Sequence, residues 1–78
     1  MASQLSPDSS RSQTLDRGLK ALKLIANSPV PMTIDEVANH LKLGRSVTYR
    51  MIRTLEDHRL VMRDASGRLA AGTQLVGL

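Results

Sequence analysis

The sequence predicts a small, mainly α-helical domain: three helices and a β-hairpin, in the order α-β-α-α-β-β. Three observations predict it. Apolar residues recur every three or four positions in three separate stretches, which marks helices with one buried face. Only Leu43-Gly44 separates the second stretch from the third, so those two helices meet at a tight turn. After the third, Leu60–Arg63 and Arg68–Ala71 flank Asp64-Ala65-Ser66-Gly67, a turn-rich segment between two short strand candidates.

The elements follow in order. Residues 1–13 are polar and Ser-rich and are expected to form a disordered tail. From Thr14 the pattern changes. Leu15, Leu19, Leu22 and Ile25 or Ala26 share a helical face, with Thr14 as cap and Asp16 suited to the positive helix end. Ala21 and Leu24 widen the apolar surface, so part of this helix is expected to face a partner. Asn27-Ser28-Pro29 ends it. Pro29 to Met32 is a rigid connector, and Met32 with its neighbours is a short strand candidate.

Thr33 and Glu36 have capping-box spacing, in which a hydroxyl and a carboxylate each take a backbone N–H. Ile34, Val37, Ala38 and Leu41 supply the buried stripe of the second helix, which ends near Lys42. The third helix spans about Arg45 to His58 and buries Thr48, Met51, Ile52 and Leu55. Gly67 supplies the positive φ that a tight hairpin needs. Gly72 closes the hairpin, and residues 73–78 begin an apolar segment.

Composition narrows the chemistry. The chain has 78 residues, room for one small domain. It has no cysteine, so disulfides and thiolate metal sites are excluded. Only His40 and His58 are present, without a third ligand at metal spacing; His40 reads as a solvated helix-end residue and His58 as structural. No cofactor motif, nucleophile constellation or acid–base pair is visible, so neither a cofactor nor catalysis is expected. One Tyr, no Trp and no Phe argue against a base-stacking single-strand binder. No apolar run approaches a membrane span, and the polar N-terminus is unlike a secretory signal, so no membrane contact and a cytoplasmic location are expected.

The net charge of +4 is unevenly placed. Residues 1–43 carry five basic and four acidic side chains. Residues 44–68 carry six arginines (Arg45, Arg50, Arg53, Arg59, Arg63, Arg68) against Glu56, Asp57 and Asp64. Arginine pairs bidentately with phosphate and with guanine edges. In the third helix, packing leaves Arg45, Ser46, Val47, Tyr49, Arg50 and Arg53 outside the core, crowded toward its N-terminal half. A helix that enters the DNA major groove presents that half to the bases. The pattern is that of a winged helix-turn-helix for double-stranded DNA.

Arg45, Ser46, Tyr49, Arg50 and Arg53 form the expected reading surface, with Arg53 nearer the phosphates. Ser46 has a second reading, as a helix cap. Arg63 and Arg68 flank the wing turn and are expected at the backbone or minor groove. Arg17 and Thr33 are further candidates. The rival reading is a winged-helix protein-interaction module whose arginines form a solvated face.

Three pieces of sequence, QTLDRGLKALKLIA, PMTIDEVANHLKLGRSVTYRMIRTLE and VMRDASGRLAAGTQLVGL, together resemble the DNA-binding domain of the isocitrate lyase regulator (IclR) family of bacterial transcription factors. The likeness covers Gln13 to Leu78. It implies a winged helix over residues 14–72, a homodimer or higher homo-oligomer, and a C-terminal domain for a small-molecule effector. Residues 73–78 would then start the linker helix to that domain, which lies outside this chain. The resemblance places Arg45, Ser46, Tyr49 and Arg50 where the family meets DNA. It departs at His58 and Arg59, where the family usually has an apolar residue and glycine. It departs again at Leu69 and Ala71, in place of tyrosine and leucine.

Overall fold

A computed structural model describes residues 11–76. The elements are α1 (Gln13–Asn27), α2 (Ile34–Leu41), α3 (Arg45–Asp57), β1 (Val61–Arg63), β2 (Leu69–Ala71) and α4 (Thr73–Val76). This is the expected winged helix-turn-helix. Residues 1–10 of the expected tail, and Gly77 and Leu78, lie outside the described residues.

The start of α1 differs from expectation. Ser12, not Thr14, is the cap: its hydroxyl accepts from the Leu15 amide at 3.1 Å, and its carbonyl accepts from Asp16 N at 3.0 Å. Ser12 has the extended backbone a cap requires, whereas Thr14 already lies in the first turn. Gln13 is therefore helical rather than part of the tail.

The buried face of α1 also differs. Ala21, Leu22 and Ile25 are buried and Leu24 packs beside them. Leu15 and Leu19, expected inside, are 62% and 45% exposed, and Ala26 is exposed. Leu22 and Ile25 are buried as expected, but the core-facing arc is rotated from Leu15 and Leu19 toward Ala21, so the apolar surplus of α1 is its N-terminal leucines.

The capping box at α2 is complete. Thr33 Oγ1 accepts from Glu36 N at 3.1 Å, and Thr33 N donates to Glu36 Oε1 at 2.9 Å. Both inner helices then end in the same way. Leu43 N donates to Ala38 O and Lys42 N to Asn39 O; Leu60 N donates to Leu55 O and Arg59 N to Glu56 O. Such paired bonds close a helix through one left-handed residue, here Lys42 (φ 56°) and Arg59 (φ 60°), neither of them glycine. Gly44, expected in the turn, is instead the extended cap of α3 and makes no side-chain cap bond.

The hairpin pairs Val61 with Ala71, Met62 with Ala70 and Arg63 with Leu69. Met32 joins it through a bridge to Leu69, with N–H···O bonds of 2.9 and 2.6 Å. The connector between α1 and α2 thereby becomes a third edge of the sheet, as its apolar residues suggested. Leu69 is fully buried, and with Ile52, Val37 and Val61 it centres the core. Thr48 is also fully buried, its hydroxyl satisfied by donating to Gly44 O at 2.9 Å. The packing of α1, α2 and α3 on this hairpin leaves the outer face of α3 and the hairpin turn uncovered. Among the described residues, no helix is long and apolar enough to cross a membrane.

Candidate nucleic-acid interface

The first two turns of α3, the start of α2 and strand β1 enclose a groove lined by Ile34, Arg45, Ser46, Tyr49, Arg50 and Arg63. Five of these six were singled out from the sequence. Arg53 joins them through Tyr49, donating Nη1–H to its hydroxyl at 3.2 Å. That bond holds Arg53 charged beyond its ordinary range. Ser46 is exposed and does not cap α3; Gly44 holds that position. The first N–H groups of α3 are thus left without a side-chain partner, at the positive end of the helix dipole.

The arginines divide by what holds them. Arg45 pairs with Asp35 of α2 across 3.0 Å, both well exposed. Arg63 turns back from the wing and grips Glu56 of α3, at 3.1 Å from Nε and 3.4 Å from Nη2. Arg68 lies 4.0 Å from Glu36, beside the α2 capping box. Arg50 takes part in none of the four ion pairs among the described residues. It is exposed on the same helix face as Arg53 and Ser46.

Thr33 sits at the edge of this surface, with its hydroxyl engaged in capping. Arg17 stands apart. It lines a separate hollow with Gln13, Asp16, Lys20, Leu41, Lys42 and Leu43, where α1 passes the turn between α2 and α3.

The sequence placed Glu36 in the capping box and Asp64 in the wing turn, but it paired no acid with an arginine. Asp35, Glu36 and Glu56 each hold one of the expected arginines, and Asp64 builds the wing turn. Asp64 Oδ1 accepts from Ser66 N (2.9 Å), Ser66 Oγ (2.6 Å) and Arg68 N (3.0 Å). The Ser66 hydroxyl, then the Arg68 amide, keep the Asp64 carboxyl below its ordinary range. The Thr33 amide does the same for Glu36. An Asp two residues before a Ser is a readable turn signal. The Glu56–Arg63 pair joins two elements whose relative placement only the fold supplies.

The comparisons agree with this geometry. Residues 14–65 match the family model of the IclR helix-turn-helix domain. The repressor BlcR of Agobacterium tumefaciens superposes with a TM-score of 0.75 at 26% identity, over 92% of this chain and 29% of that one. An IclR transcriptional regulator from Alicyclobacillus acidocaldarius gives 0.78 at 26% identity, over 86% and 28%. This chain therefore spans less than a third of those regulators. A LepI complex with SAM gives 0.63 at 25% identity, over 76% of this chain but 15% of LepI. That likeness takes in only a small part of LepI. No match was found among curated proteins. The match over residues 14–65 takes in α1, the helix-turn-helix and β1, and places the chain in the IclR helix-turn-helix family, the DNA-binding domains of transcriptional regulators.

Proposed function

We propose that this domain binds double-stranded DNA sequence-specifically as a homodimer, with α3 in the major groove and the hairpin along the backbone. The groove carries the reading: it gathers Arg45, Ser46, Tyr49, Arg50 and Arg63 around the exposed N-terminal half of α3. Arg50, outside the ion pairs, is the base reader, because a fork of unpaired donors fits the O6/N7 edge of guanine. Arg45 exchanges Asp35 for phosphate at the helix start. Arg53 and Arg68 meet the backbone, and Thr33 and Arg17 flank the track.

The dimer reading is supported by Leu15 and Leu19, large apolar side chains exposed on the same face of α1. Two copies would present two α3 helices to two half-sites about one helical turn, or a multiple, apart. The regulators it resembles are more than three times as long, and the effector-binding domain is assigned to that further length. The domain itself acts in regulation and not in catalysis.

Binding to a random duplex at two salt concentrations tests the reading. Neutralised phosphates release counterions, so affinity should fall steeply as salt rises. No duplex binding at low salt would transfer the surface to protein docking.

A further inference from the structure

Tyr49 is held by two arginines from two elements. Arg53, one turn further along α3, donates to its hydroxyl, with the guanidinium carbon 5.9 Å from the ring centroid. Arg63, on β1, has its guanidinium carbon 5.8 Å from the same centroid. Arg63 is fixed in turn by both carboxylate oxygens of Glu56. This pair is the least exposed of the four among the described residues, at 33% and 23%. The contacts form a closed path: Glu56 on α3, Arg63 on the wing, and Tyr49 back on α3.

We propose that Glu56 is a positioning residue for the DNA-facing surface, acting through Arg63 on Tyr49. A two-point grip on a planar guanidinium selects one orientation of it, which a single contact does not. So fixed, the guanidinium sits against the Tyr49 ring in the geometry of a cation–π contact. Arg53 occupies a lone pair of the Tyr49 hydroxyl, which leaves the Tyr49 proton to be donated outward. A phosphate oxygen or an acceptor on a base edge would receive it. On this account Arg63 serves mainly to orient Tyr49 and to tie the wing to α3, rather than to bind phosphate itself. The inference rests on the DNA-binding reading and assigns roles within that site.

Simple electrostatics predicts the opposite sign. A carboxylate beside DNA repels phosphate, so removing it should tighten binding to every duplex. The test uses the 78-residue chain and two probes: a duplex selected by the unaltered protein from a random pool, and an unselected duplex. Tyr49 is the sole tyrosine, and Trp and Phe are absent, so near-ultraviolet circular dichroism reports on Tyr49 alone. Glu56→Gln should weaken binding to the selected duplex about tenfold while leaving the unselected duplex unchanged or tighter. It should also diminish the Tyr49 signal in the free protein. Arg63→Lys keeps the charge but loses the fork, and should do the same.

Glu56→Gln binding the selected duplex as well as the unaltered protein, or better, overturns the proposal, as does an unchanged Tyr49 signal. Failure of the unaltered protein to bind any duplex refutes the DNA reading, and with it the role given to Tyr49. The spectrum of free Glu56→Gln still reports separately on whether Glu56 positions the ring.

Discussion

Arg59 and Gly72 meet where α3 hands over to the wing. Arg59 is left-handed, at φ 60°. A Cβ on Gly72 would collide with the Arg59 carbonyl oxygen and come within 2.8 Å of its carbonyl carbon. Gly72 N donates to Leu60 O, and Gln74 N donates to Arg59 O. The end of α3, the end of β2 and the start of α4 therefore share one tightly packed backbone crossing.

Two substitutions there should move stability in opposite directions. A non-glycine residue in the left-handed region costs about 1–2 kcal/mol, and glycine gives back part of that gain in unfolded-chain entropy. Arg59→Gly should therefore stabilise by up to about 1 kcal/mol. Gly72→Ala meets backbone, which cannot rotate aside, and should cost about 2 kcal/mol or more. Urea unfolding followed by helical circular dichroism measures both. A destabilised Arg59→Gly would contradict the account of the α3 terminus.

Acid should loosen the wing turn and the start of α2 together. The carboxyls of Asp64 and Glu36 are both held below their ordinary values, by Ser66 and by the Thr33 amide respectively. A lowered folded-state pKa contributes stability that is complete above the unfolded value. That contribution is lost as pH falls through the folded value. Unfolded Asp and Glu titrate near pH 4, so Tm should hold above about pH 5 and decline below about pH 4. The double variant Asp64→Asn/Glu36→Gln should start from a lower Tm at neutral pH and show a shallower decline in acid. A decline as steep as that of the unaltered protein would place the acid-sensitive groups elsewhere.

Arg50 and Arg68 should separate by role. Arg50→Ala should cost about 1–3 kcal/mol on the selected duplex and relax preference at one base position. Arg68→Ala should weaken selected and random duplexes alike and reduce the salt dependence by about one phosphate contact. Equal, sequence-independent losses for both would refute the assignment of Arg50 as a base reader.

The exposed leucines of α1 should govern self-association. Leu19→Glu removes apolar surface that lies outside this domain's own core. It should leave helical content and Tm nearly unchanged while shifting the protein toward monomer in sedimentation equilibrium. An unaltered association constant would exclude this face of α1 from the dimer contact.

Much of the fold was legible because local rules and burial agree. The Thr33–Glu36 capping box, the periodicity of α2 and α3 and the Gly67 turn are short-range signals, and each appears where it was expected. The face of α1 was legible only in part: Leu22 and Ile25 are buried as expected, and Leu15 and Leu19 are not. Seven apolar residues fit a helical wheel in more than one way, and only the packing of α2, α3 and β2 against α1 chooses Ala21 over Leu15 and Leu19. Arg59 was noticed as a departure from a usual glycine, and its left-handed backbone shows what that departure costs.

The sequence by itself determined the order of elements, the concentration of arginine in and after α3, and the side of α3 left free of the core. Those follow from period, capping and charge, which act within a few residues. The tertiary structure decided which arginines are engaged. Asp35, Glu36 and Glu56 reach Arg45, Arg68 and Arg63 across element boundaries, and hydrophobic packing sets those distances. Arg50 stands outside these pairs for the same reason: among the described residues, no carboxylate is carried to it when the helices and hairpin close on Ile52 and Leu69.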